Sequence, residues 1–433
     1  MRTRPNRRIV AEVLLVLALA AVALLARWAG RHESTPDMAI FTAWYARVAE
    51  AGGWRGLGQP IGNYNAPFLY LLWCASLMPG PLIVKIKLVW TLFDVLLGFF
   101  AYRLVALRWG RRAGVHGAVV TVLLPTVVIN ASFYGQMDAV WASFALGGVY
   151  YLARERPWPG VVLCTVAFAL KPQGIFVFPL VALLVLAGAM RLRPLLAAPA
   201  VWLALDLPAI LLGRSPGELL GVYSPDRQAS RVARLTSNAP SVFAYLPVTD
   251  RIGALRLLGY AFCAALVLGL CLLLVARRVR LDATRIVTAA AVFAILVPFT
   301  LPGMHERYFF LADVLTLMLA AYRPRLWYVP LLVQAASLLA YQPFLFGRTA
   351  DTLDLRIPAT LMLAALIATT YALVRDALDP EPATIPAGTA PTGTAPTGTA
   401  PTGTVPAGTE GCVEDAETPR SASQNSEARD GRA

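Results

Sequence analysis

The chain has 433 residues, 58% of them hydrophobic and only 15% charged, with a formal net charge of +13. That balance excludes a soluble globular enzyme and describes an integral membrane protein, because apolar runs recur from Ile9 to Val374 and leave no room for a large soluble domain. Residues 376–433 hold nine acidic residues and three arginines, net −6, which leaves +19 on residues 1–375. The excess is mostly arginine in short loops, where it orients a membrane protein rather than binding nucleic acid.

Arg2, Arg4, Arg7 and Arg8 precede the first apolar run, Ile9–Ala26, and place the N-terminus in the cytoplasm. No small-residue cleavage site precedes the arginine-rich exit, so the run reads as a retained first helix. The chain then leaves the bilayer through Arg31–Ala51. Thr35, Pro36 and Asp37 form a helix start, followed by Ile40, Phe41, Trp44 and Val48 on one face and Thr42, Arg47 and Glu50 on the other. This is an amphipathic helix at the membrane surface. Asp37 is read as a catalytic base, against the simpler alternative that it only caps the helix.

The next apolar piece, Tyr64–Met78, is short of the ~20 residues that cross a hydrocarbon core. If it crossed, the loop of Arg108, Arg111 and Arg112 and every later basic loop would be external, so it reads as an interfacial helix. The spans that follow are Leu82–Leu107, Val115–Phe133, Asp138–Ala153, Trp158–Leu170, Gly174–Met190, Pro194–Gly213, Gly253–Ala276, Ile286–Leu301, Tyr308–Tyr322, Leu326–Phe346 and Arg356–Val374. With the first helix these make an all-α, multi-pass fold of about twelve crossings, both termini cytoplasmic. Two long segments, Ala29–Pro81 and Arg214–Arg251, are external. The second reads as a loop with one short helix, in which mobility would suit substrate access.

The membrane domain ends at residue 375. From Asp376 the composition changes to three copies of Ala-Pro-Thr-Gly-Thr, beginning at Ala390, Ala395 and Ala400, and an acidic end. Such a segment cannot bury a core and reads as a disordered cytoplasmic tail. Cys74, Cys164, Cys263, Cys271 and Cys412 show neither paired nor metal-ligand spacing.

This topology gathers polar residues at the external ends of the apolar segments: Asp37, Asn63, Asn65, Gln136, Asp138, Lys171, Gln173, His305, Glu306 and Arg307. Ionisable groups at such positions are costly unless they face a cavity or pair with one another. Lys171, His305 and Arg307 suit a phosphate or diphosphate, while Asp37, Asp138 and the amides suit sugar hydroxyls or a divalent metal. A site with both kinds of group, open to lipid, points to a lipid-phosphate-linked sugar. Interfacial solvation is the bland alternative for each residue taken singly.

The stretches YGQMDAVWASFALGGVYYLARE, FALKPQGIFVFPL and LPGMHERYFFLADVL resemble bacterial membrane mannosyltransferases related to the GPI-anchor second mannosyltransferase, within the GT-C superfamily of multi-spanning glycosyltransferases. The resemblance covers roughly residues 9–375. It implies an extracytoplasmic site in the cell membrane, with Asp37 as the acidic residue of the first external loop. That carboxylate would take a proton from the acceptor hydroxyl while a polyprenyl-phosphate sugar loses its lipid phosphate with inversion. Asp138 would be the second external acid, and His305, Glu306, Arg307 and Tyr308 would lie by the donor phosphate. The acceptor would be a lipid-linked glycan, a glycolipid or a protein. The paired-acid motif of some branches is absent, since Met38 follows Asp37, so a metal on adjacent carboxylates is not implied. A transporter or flippase of a lipid-linked or anionic substrate is the alternative; against it stand the lack of a repeat between the halves and the off-centre polar set.

Overall fold

The computed structural model describes residues 7–224, 234–246, 252–346 and 354–378. The repeat tail beyond Leu378, with the reading of disorder placed on it, lies outside the described residues, as do 225–233 and 247–251 of the segment Arg214–Arg251. Within the described residues the backbone is almost wholly helical. A helix satisfies each amide inside its own segment, which lipid requires.

Six segments are long and apolar enough to cross a membrane: Arg8–Ala29, Arg193–Leu211, Ile252–Ala276, Ala283–Thr300, Pro324–Phe346 and Arg356–Leu378. Leu14, Leu25, Leu257, Leu268 and Ile367 stand exposed on several of them, surface that lipid solvates and water does not. On these grounds the chain is a membrane protein. The expected twelve crossings would also need the shorter apolar helices, such as Pro157–Leu170 and Phe310–Tyr322, to cross.

Helix α1 (Arg7–Ala29) is followed by the amphipathic α2 (Pro36–Glu50) and the short α3 (Ala66–Ser76), which lies within the apolar piece Tyr64–Met78. Helix α4 (Leu82–Leu123) breaks at Gly110, whose φ of 79° and ψ of 177° leave the helical region. There the chain reverses. A Cβ at Gly114 would fall 2.8 Å from the Tyr102 carbonyl oxygen, and one at Gly117 2.8 Å from Val105, so glycine lets the two arms pack closely. Arg27 ties α1 to both arms, donating from Nε to Asp94 Oδ2 at 2.9 Å and from Nη2 to the Val122 carbonyl at 2.9 Å.

The run Val115–Phe133, expected as one span, is interrupted. Pro125 holds Leu124 out of the helical region (φ −52°, ψ 129°), and α5 (Pro125–Val128) widens into a π turn over Ile129–Tyr134. Next come α6 (Asp138–Ala153) and α7 (Pro157–Leu170), which pack against each other. Pro172 again forces an extended residue before it, Lys171 (φ −154°), and a 3₁₀ turn over Pro172–Val177 leads into α8 (Phe178–Leu186). Helices α9 (Ala197–Leu211) and α10 (Pro216–Leu220) follow. The last five are α11 (Ile252–Ala276), α12 (Ala283–Thr300), α13 (Phe310–Tyr322), α14 (Val329–Phe346) and α15 (Arg356–Leu378).

Every residue of α12 from Ile286 to Thr300 is buried, which makes it the central post of the bundle. Helix α15 runs past the expected domain end at residue 375: Asp376 is helical and pairs with Arg323. The paired strands among the described residues are β1 (Thr236–Ser237) and β2 (Met304–His305), parallel and two residues each. This pairing holds the stretch around Thr236 against the one that carries His305, Glu306 and Arg307.

Candidate functional site

Asp37 sits in the first turn of α2. The cap is Thr35, not Asp37: the Thr35 hydroxyl accepts from the Met38 N–H at 3.4 Å and donates to the Tyr134 carbonyl at 2.7 Å. With capping done by Thr35, the Asp37 carboxylate is left for other contacts. Gln136 Nε2 donates to its Oδ2 at 2.7 Å and Arg307 Nη2 lies 3.2 Å from the same oxygen. Oδ1 has no hydrogen-bond partner among the described residues, and the side chain keeps about a quarter of its surface exposed, at 24%.

Backbone geometry brings the partners in. The π turn ends at Gly135, whose φ of 76° lies in the left-handed region, and a Cβ there would come 2.4 Å from Met38 Cε. That close approach seats Gln136 beside Asp37. Two residues on, α6 begins with Asp138, which is fully buried. Its carboxylate accepts from Lys171 Nζ at 2.5 Å, Trp141 Nε1 at 3.0 Å and Asn130 Nδ2 at 2.9 Å. Lys171 also reaches Gln136 Oε1 at 3.3 Å, which fixes the amide so that its NH₂ faces Asp37. Gly174 is required for this placement, since a Cβ would meet the Phe168 N at 2.3 Å where the 3₁₀ turn folds onto the end of α7.

From the other side comes the turn after β2. Arg307 Nη1 donates to Glu306 Oε1 at 2.8 Å, Tyr134 OH donates to the same oxygen at 2.6 Å, and Arg307 Nε lies 3.8 Å from Asp138 Oδ2. The guanidinium also rests over the rings of Tyr134 and Tyr308, at 5.5 and 5.6 Å. Burial opposes ionisation of Glu306, but Arg307, His305 and the Tyr134 hydroxyl outweigh it and hold the carboxyl below its ordinary value. Burial likewise opposes the charge on Arg307, and Glu306 and Asp37 overcome it, raising that group well above the usual arginine range.

These groups surround a cavity of about 390 Å³ whose lining includes Asp37, Asn63, Gln136, Gln173, His305, Arg307 and Tyr308. Phe41, Trp44, Tyr64 and Tyr260 add aromatic wall. Three of the expected binding residues take another place. Asp138, Lys171 and Glu306 are fully buried behind the lining and pair with cavity residues or with one another. Asn65 is not in the cavity: its Oδ1 accepts from the Ala66 N–H at 2.9 Å, capping α3, and its own N–H donates to Tyr223 OH at 3.2 Å. A pre-proline-like cap position (Asn-Ala-Pro) explains this better than a ligand role.

The charges nearly cancel. Asp37, Asp138 and Glu306 against Lys171 and Arg307 leave a formal −1 with His305 neutral. Lys171, expected at a phosphate, is wholly committed to Asp138 and Gln136. Among the described residues no group of three or more His, Cys, Asp or Glu side chains gathers closely enough to hold a metal ion, so the divalent metal left open by the sequence finds no ready ligand set.

Several contributors were not singled out from sequence. Tyr134 and Trp141 are the first and last residues of YGQMDAVW, the stretch that carries Gln136 and Asp138. Lys87 bonds the carbonyls of Gly30 and Glu33 at 2.7 and 2.6 Å and that of Ser132 at 2.5 Å, pinning the loop between α1 and α2 to the π turn. A lysine inside an apolar run was its signal. Ser237, brought to the cavity by the β1–β2 pairing, left none. No family model matches the chain, and no curated protein matches it.

Proposed function

We propose that the chain is a polytopic membrane glycosyltransferase of the GT-C type that moves a hexose, mannose by resemblance, from a polyprenyl-phosphate donor to a glycan, glycolipid or protein acceptor. The observation that carries this reading is Asp37: a carboxylate with one oxygen held by Gln136 and Arg307 and the other unbonded among the described residues, on the wall of a cavity lined by amides and aromatic rings. A sugar hydroxyl is a weak nucleophile, and a positioned base typically helps ~10²–10⁴-fold. Amides and aromatic faces suit a hexose.

In this reading the acceptor oxygen attacks the anomeric carbon from the face opposite the lipid phosphate. The carbon–phosphate-oxygen bond breaks with its electron pair leaving on the phosphate, the hydroxyl proton passes to Asp37, and the configuration inverts. The phosphate is met by Arg307, which lines the cavity, and by His305, half exposed beside it. Because Arg307 also holds Asp37, an arriving phosphate competes for the guanidinium and releases the carboxylate to act as base. The buried Lys171–Asp138 pair holds Gln136 in place rather than touching substrate. Twelve crossings, with the Asp37 end extracytoplasmic and both termini inside, complete the proposal.

Purified full-length protein in proteoliposomes tests it. A polyprenyl-phosphate hexose offered alone should yield glycosylated acceptor, and GDP-mannose offered alone should not. Turnover on GDP-mannose with no polyprenyl phosphate present would overturn the donor assignment. Movement of the lipid-linked sugar across the bilayer without any transfer would replace the enzyme by the transporter reading.

A further inference from the structure

The largest cavity among those described is not the one at Asp37. It encloses about 1020 Å³ and is lined by residues at the far ends of the same helices. Helix α6 starts at Asp138 in the buried charge cluster and ends at this cavity. Its sixteen residues separate the two by ~24 Å, near the thickness of a hydrocarbon core. Helix α12 makes the same journey, from Ile286 here to Leu301 just past its end at the other cavity. The two cavities therefore face opposite membrane surfaces.

Four arginines stand around it: Arg191, Arg193, Arg278 and Arg280. All four are exposed. None of their guanidinium groups is paired with a carboxylate or hydrogen-bonded to a carbonyl among the described residues, so they are not spent on capping the helix ends around them. One carboxylate, Glu155, shares the lining and leaves the arginines in excess. Arg278 has a φ of 51°, at the position after the end of α11 where glycine would be unstrained, and the Val279 N–H closes the turn onto the Leu274 carbonyl at 3.1 Å.

Beside the arginines the wall is apolar, presented by the part-exposed Val275, Val279 and Leu281. Trp158 in the lining and the neighbouring Leu192 and Leu196 are more than half exposed, as residues that meet lipid would be. A free soluble anion would use the arginines and leave this wall wet. A phospholipid uses both, and basic pockets between membrane helices are where anionic headgroups settle.

We propose that the cavity between α8 and α11, at the end opposite Asp37, binds an anionic phospholipid, its phosphate on Arg191, Arg193, Arg278 and Arg280 and its acyl chains along the apolar wall. The site stands independently of any role for Asp37.

The test uses the purified full chain, equilibrated in vesicles of equal phosphatidylglycerol and phosphatidylcholine with matched chains and then extracted, with the retained lipid weighed by native mass spectrometry. Phosphatidylglycerol should be retained preferentially. The double variant Arg278→Gln/Arg280→Gln should lose roughly thirtyfold of that preference, on the scale by which each arginine near a charged membrane surface contributes. Ala189→Trp, which fills the cavity from an exposed position and leaves every arginine in place, should also lower retention. Soluble glycerol phosphate should not displace the lipid. Equal retention of the two lipids, a preference unchanged in either variant, or displacement by glycerol phosphate would each overturn the proposal, the last in favour of a soluble anion.

Discussion

At one end of α6, Asp138 is sealed under Lys171, Asn130 and Trp141, and each charge nearby has a named partner. At the other end, Arg191, Arg193, Arg278 and Arg280 stand in the open, none of them ion-paired among the described residues, with Glu155 the one carboxylate in the same lining. Both ends are polar, but the physics differs. In a dry cluster the desolvation of each charge is offset only by its neighbours, so every member depends on the rest. Exposed arginines are solvated singly, and their effects add. Burial thus makes the Asp37 end a site of fixed geometry and the arginine end a field of positive charge.

The sharpest consequence falls on Asp37 itself. Asp37→Asn keeps size and hydrogen bonding but removes the proposed base, so transfer should fall by ~10²–10⁴-fold while melting behaviour in detergent hardly moves. Retention of more than about a tenth of the turnover, against that expected range, would end the assignment.

Next comes the buried pair. Lys171→Met strips Asp138 of its closest cation in a closed site, leaving only Arg307 at 3.8 Å, which should cost up to about 3–5 kcal/mol, and Lys171→Met with Asp138→Leu should recover much of it. Unfolding of the single and double variants in the same detergent reads both numbers. If the double variant were as unstable as the single, the cluster would not be coupled and the contrast between the two ends would fail.

Gly135→Ala tests how that geometry is held. A left-handed residue with a Cβ costs ~1–2 kcal/mol, and here the Cβ also strikes Met38, the neighbour of Asp37. Stability and transfer should both drop. Adding Met38→Ala should restore transfer but not stability, because the clash is relieved and the backbone strain is not. Recovery of neither would mean that the turn, and not the approach to Met38, is what Gly135 serves.

Acid should act on the same cluster. Glu306 is held below its ordinary value in the folded chain, so its contribution is present at neutral pH and is lost as the pH falls, once the unfolded chain takes up a proton near ~4.3 and the folded one resists. The melting temperature should fall on acidification, and less steeply in Glu306→Gln; parallel curves would show that another carboxylate governs acid lability.

Much of this architecture was legible in the sequence, for particular reasons. Helix α6 begins and ends where it was read, at Asp138 and Ala153, because an acid marks one end and Arg154 and Arg156 the other. The start of α2 followed from Thr35-Pro36-Asp37, and the turn at Gly110 from the arginines around it. The break at Leu124 and the π turn were hidden inside Val115–Phe133, since apolar residues look alike to hydropathy whether they continue a helix or widen it. The polar set around Asp37 was visible as a set. Its division into cavity wall and buried support was not, because that depends on contacts between residues as distant in sequence as Tyr134 and Glu306. Asn65 shows the same limit: a cap and a ligand present the same residue type.

The smallest effect is expected at the arginine end, and it closes the comparison. Arg193→Gln removes one exposed, unpaired charge, so stability in neutral detergent should change by less than about 0.5 kcal/mol, the ordinary range for surface substitutions. Its effect should be electrostatic and screened. At physiological ionic strength the Debye length is about 8 Å, so any shift seen at low salt should shrink as salt rises. The Lys171→Met loss should be indifferent to salt, since ions do not reach a closed site. Unfolding of both variants across a salt series decides the matter. A large, salt-independent loss in Arg193→Gln would mean that the guanidinium is buried in a partnership of its own, and the two ends of the bundle would then handle charge alike.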